Sequence, residues 1–82
     1  MPTVTLLYFA GVAERLGRPS ETLDFPRSTT TEAILATLAD RHPPIAELLA
    51  TCRLAVDQQF ARGVVELHSG SELAVIPPVS GG

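Results

Sequence analysis

The residues best placed to do chemistry end the chain. Pro77-Pro78-Val79-Ser80-Gly81-Gly82 presents a free α-carboxylate on two consecutive glycines. Neither proline can donate a backbone hydrogen bond and both fix φ near the polyproline value, so the pair ends a β-ladder and keeps the following residues extended. Six such residues at about 3.3 Å each reach roughly 20 Å, enough to carry the carboxylate from one protein's surface into another's cleft. Without a Cβ at either final position, the tail can thread a narrow channel, and its carboxylate is unhindered for attack on a phosphoanhydride. The pattern suits a chemical group carried on a tether. The competing reading is a frayed terminus with no task.

Elsewhere the side chains offer no ordinary active site. His42 ends a helical pattern and His68 begins a turn, and neither has a carboxylate, serine or cysteine partner at motif spacing. Cys52 is the single cysteine, with no ligand-type neighbour, and reads as a small buried hydrophobe in a reducing setting. The nine carboxylates are spread as on a solvated surface, so no acid–base pair, metal site or phosphate-binding glycine loop stands out. All six basic residues are arginines scattered along a chain of net charge −3, which argues against nucleic acid and anionic membranes as partners. The longest apolar run, Leu6 to Ala13, is far shorter than the ~20 residues of a spanning helix. With no basic segment at the N-terminus, a soluble cytoplasmic protein is expected.

The elements that must position the tail follow from periodicity. With 45% hydrophobic and 18% charged residues over 82 positions, the chain should fold as one domain, residues 1–76, followed by the tail 77–82. Thr3 to Phe9 is a strand apolar on both faces, which predicts a central place in a sheet. Gly11 to Leu16 reads as a short helix closed by Gly17, and Glu21 to Phe25 as a second strand stopped by Pro26. Thr29-Thr30-Thr31-Glu32 has the form of a capping box with Thr29 as N-cap. The helix it opens carries Ile34, Leu35 and Leu38 and ends near His42, before Pro43-Pro44. Pro44 then leads a further turn with Ile45, Leu48 and Leu49. Leu54 to Asp57, Val64 to Leu67 and Glu72 to Ile76 are the remaining strands, and Gln58 to Gly63, with Phe60 in it, reads as turn-like. The sum is an α+β fold with a mixed four- to five-stranded sheet and one main helix across one face.

The stretch Gly70 to Gly82 resembles the C-terminal signature of the small subunits of molybdopterin synthase, ubiquitin-like sulfur carriers of the β-grasp fold. Tyr8-Phe9-Ala10-Gly11-Val12, Glu14-Arg15-Leu16-Gly17 and Leu54-Ala55-Val56-Asp57-Gln58-Gln59 agree with it, so the resemblance spans the chain. Asp57, Ser71 and Ile76 depart from the family's usual Asn, Asp and aromatic residue, and none of the three lies in the tail. The resemblance implies that a ubiquitin-activating-like adenylyltransferase spends ATP to adenylate the Gly82 carboxylate. Sulfur from a donor protein then replaces AMP to give a thiocarboxylate. The tail, Pro77 through Val79, Ser80 and Gly81, enters the large synthase subunit, whose side chains catalyse transfer to the pterin precursor. It further implies that the carrier itself holds no cofactor or metal, and that Phe9, Phe60 and Ile76 form an exposed apolar patch against the large subunit, near the tail's exit. Carriers for thiamine, tRNA or cysteine thiolation and ubiquitin-like protein modifiers share the Gly-Gly end, while Pro77-Pro78 favours the molybdopterin branch. Outside these classes stands a β-grasp interaction module with an idle tail.

Overall fold

The computed structural model describes residues 1–78. In chain order the elements are β1 (Thr3–Tyr8), α1 (Ala10–Leu16), β2 (Ser20–Asp24), β3 (Ser28–Thr30), α2 (Thr31–Arg41), a 3-10 turn (Pro43–Ile45), α3 (Ala46–Leu49), β4 (Arg53–Val56), β5 (Gln59–Ala61), β6 (Val64–Glu66) and β7 (Glu72–Ile76). Alternation in β1 drives Val4, Leu6 and Tyr8 into the core. The strand ends one residue short of Phe9, which becomes the extended residue preceding α1. Gly17 closes α1 at φ 71°, a left-handed position that costs glycine nothing.

A five-stranded sheet runs in the order β2-β1-β7-β4-β5. β7 lies at its centre, parallel to β1 through Thr5–Glu72 to Tyr8–Val75 and antiparallel to β4 through Arg53–Ile76 to Val56–Leu73. The inward residues Leu6, Leu54, Leu73 and Val75 meet Ile34 and Leu38 of α2, Ile45, Leu49 and Val12 in one core. This mixed sheet with its main helix across one face is the β-grasp fold.

Three local readings of the sequence are corrected. The α2 cap is Thr30, whose hydroxyl accepts from the Ala33 N–H at 3.0 Å, while Glu32 turns to the Thr31 hydroxyl at 3.2 Å. Thr29 is unavailable because it pairs with Val65 in a strand. That pairing also takes Val64–Glu66 out of the main sheet: β6 and β3 form a separate two-stranded ribbon beside α2. Finally, Gln59–Ala61 is the edge strand β5, joined to β4 by a two-residue reversal at Asp57 (φ 47°) and Gln58 (φ 73°). Aspartate tolerates the left-handed region, and here its carboxylate also accepts from the Glu72 N–H at 2.9 Å, fastening the turn to the start of β7.

Leu38 is fully buried between α2 and the sheet. Leu38→Ala should lower the unfolding free energy by about 2–5 kcal/mol in a urea titration, the range for opening a core cavity. A loss below about 1 kcal/mol would show that the helix does not seal the core as described.

Candidate functional site

The tail's root is set by β7. As the central strand it is hydrogen-bonded on both sides, and its direction carries the chain out where β1 ends and β4 begins. The β1 ladder ends at Val75 and the β4 ladder at Ile76, and Pro77 and Pro78, having no N–H, keep either from continuing. Phe9 stands beside this exit, about half exposed, and Ala10 turns the chain into α1 at φ 48°. Phe9, Gly11, Leu48, Ile76, Pro77 and Pro78 line a surface groove of about 530 Å³. Val79, Ser80, Gly81 and Gly82 lie outside the described residues.

The sheet face turned away from α2 carries the other candidate residues. Register places Leu7, Ala74, Ala55 and Phe60 in one row across four strands, with Ile76 opposite Arg53 one step nearer the exit. Phe60, at the β5 edge, is 60% exposed, and the Arg53 guanidinium carbon sits 4.2 Å from its ring centroid. Phe9 and Ile76 thus meet in the exit groove, while Phe60 lies two strands from β7 and is linked to Ile76 through Arg53. The sequence reading passed over Arg53, although a lone charge in the otherwise apolar Arg53-Leu54-Ala55-Val56 strand marks an outward position.

It also passed over Glu21 and described His42 as lacking a partner. Glu21 points inward, its side chain only 7% exposed. It accepts from the Tyr8 hydroxyl and from His42 Nε2 at 2.6 Å, with Arg18 at 3.3 Å and Arg41 at 3.8 Å. Burial pushes the Glu21 carboxyl up, but the Tyr8 and His42 hydrogen bonds and the charges of His42 and Arg18 outweigh it and leave the carboxyl below its usual range. Burial first, then the bond to Glu21, pushes the Tyr8 hydroxyl upward, so it stays a donor. These partners are 13 and 21 residues from Glu21, a separation no motif spacing reveals. The cluster ties β1, β2 and the end of α2 together. Cys52 is buried, donates to the Leu48 carbonyl at 3.3 Å, and has its thiol pushed up by desolvation, the opposite of an activated nucleophile. Among the described residues no group of three His, Cys, Asp or Glu side chains could hold a metal.

The ThiS family model matches residues 6–82. This chain belongs to the ThiS family. Among its relatives, the molybdopterin synthase sulfur carrier subunit of Caenorhabditis elegans is 36% identical, with all of both chains covered. The Homo sapiens protein of the same name is 37% identical over 96% of this chain and 93% of its own. A solved structure described as a putative molybdopterin converting factor, subunit 1, from Pyrococcus furiosus superposes with a TM-score of 0.82. It is 23% identical and covers 96% of this chain and 100% of that one, a likeness of fold.

The Glu21 cluster predicts an acid-sensitive contribution to the stability of this family member. A carboxyl depressed in the folded state stabilises fully above its unfolded value of about 4.3 and loses that contribution as pH falls through the lower folded value. Glu21→Gln should cost about 1–3 kcal/mol at pH 7, and its difference from wild type should shrink below about pH 4.3. A difference that stays constant down to pH 2 in thermal unfolding would contradict the assigned charge state.

Proposed function

We propose that the chain is the sulfur-carrying subunit of a molybdopterin synthase, and that Gly82 is the only residue whose atoms react. One observation carries the reading: the central strand runs directly into Pro77-Pro78 beside an apolar outward face, in a domain whose described side chains form no active site. The names of the full-length relatives support the same role.

In this reading a ubiquitin-activating-like partner binds ATP, and a Gly82 carboxylate oxygen attacks the α-phosphorus, releasing pyrophosphate. A sulfide equivalent from a donor protein then attacks the acyl carbon, AMP departs, and a thiocarboxylate remains. The tail enters the large synthase subunit, whose side chains supply the catalysis, and the soft sulfur nucleophile is held at high effective concentration against the pterin precursor. The carrier binds no cofactor, since ATP belongs to the activating partner. Its need for ATP and reduced sulfur fits a cytoplasmic setting. Phe9, Phe60 and Ile76 dock on the large subunit. Carriers for other thiolation pathways share the Gly-Gly end, and Pro77-Pro78 favours the molybdopterin assignment.

Deleting Gly82 in a reconstituted assay with the activating enzyme, sulfur donor and large subunit should reduce dithiolene formation to background, with the unfolding curve unchanged. Sulfur transfer that survives the deletion would overturn the proposal, and an interaction module with an idle tail would be left. Phe60→Ala should weaken binding to the large subunit by about 1–3 kcal/mol, as for an exposed anchor, and cost under about 1 kcal/mol in unfolding. Several kcal/mol lost in unfolding with binding unchanged would remove Phe60 from the docking face.

A further inference from the structure

Arg53 lies on the outward face, one register step from Phe60 and in a hollow that Arg62 also lines, and its surroundings are unusual for a surface arginine. Its strand partner is Ile76, the last residue before the tail's prolines, and its guanidinium lies over Phe60 at 4.2 Å. Arg18 and Arg41 both reach Glu21, whereas Arg53 has no ion pair among the described residues. The nearest acid on the same face of β7 is Glu72, beyond Ala74, which strand geometry sets roughly 13 Å from Ile76. The guanidinium is therefore stacked on an aromatic face at an exposed position, without a carboxylate partner among the described residues.

Two consequences follow from stacking. The planar group restrains Phe60, so an exposed aromatic anchor is already ordered before it meets a partner. Any protein that covers Phe60 and Ile76 must also strip water from the guanidinium between them. A buried guanidinium without a counter-charge is costly, and a carboxylate accepting its paired N–H groups removes that cost. We propose that Arg53 selects the docking partner: the surface that covers Phe60 and Ile76 carries an Asp or Glu side chain that pairs with the Arg53 guanidinium. This deepens the proposed docking on the large synthase subunit and rests on that reading.

Isothermal titration of the large subunit of the same organism against wild type, Arg53→Lys, Arg53→Glu and Phe60→Ala, at low and high salt, separates the two ideas. Reversing the charge should weaken binding about 100-fold at low salt and less at high salt, because like charges then face each other across a partly screened gap. Arg53→Lys, which keeps the charge and loses the stacked plane, should fall between, at about 5–10-fold. An Asp or Glu on the large subunit changed to Arg should restore binding to Arg53→Glu. Unchanged unfolding midpoints in the Arg53 variants would assign these losses to docking. If Arg53→Glu binds like wild type while Phe60→Ala weakens, the selective role of Arg53 is overturned and the docking face stands. If wild type fails to bind, or neither Phe60→Ala nor Arg53→Glu has any effect, the docking reading falls and the role of Arg53 with it.

Discussion

A tethered carboxylate is useful only if its anchor is fixed, and in this fold the anchor is the double hydrogen-bonded ladder around β7. Pairing with β1 up to Val75 on one side and with β4 up to Ile76 on the other holds the strand to its end, and two prolines follow at once. An edge strand would leave the exit held from one side and free to fray. Most of the remaining architecture serves this placement. Leu73 and Val75 sink into the core under Ile34 and Leu38 of α2, and the Asp57 turn grips the start of β7 through the Glu72 amide.

Stability and recognition are divided between the two faces of the sheet. The inward face is closely packed and apolar, with a single charged exception at Glu21, whose four polar partners compensate its burial. The outward face leaves Phe60 and part of Phe9 exposed, an arrangement that contributes little to folding and is common at protein–protein contacts. Arg53 stacks on Phe60 and pairs with Ile76, which sets a charge within an otherwise apolar part of this face.

Much of this was legible in the sequence, for physical reasons that differ by element. β1 and α2 declared themselves through the period of their apolar residues, because their burial depends on one repeated spacing. β5 did not, since three residues with one outward phenylalanine look like a turn until the left-handed pair Asp57-Gln58 is seen to close a hairpin. The Thr30 cap and the separate β3–β6 ribbon were missed together: one long-range pairing, Thr29 with Val65, decides both. Phe60 and Phe9 are exposed, but the placement of Phe60 two strands from β7, away from the exit groove that Phe9 lines, required the register. The Glu21 cluster was hidden for the same reason, its members joined only by the packing of β1, β2 and α2. The tail itself, two prolines followed by Val79, Ser80 and two glycines, is a matter of residue type and position and stands out in the sequence alone.

The central claim concerns one atom exchanged at Gly82, and intact-mass spectrometry reads it directly. After incubation with the activating enzyme, ATP and a sulfur donor, the chain should gain about 16 Da as one carboxylate oxygen is replaced by sulfur, and lose that mass again on turnover with the large subunit and pterin precursor. A mass that never changes under conditions where dithiolene still forms would contradict the account.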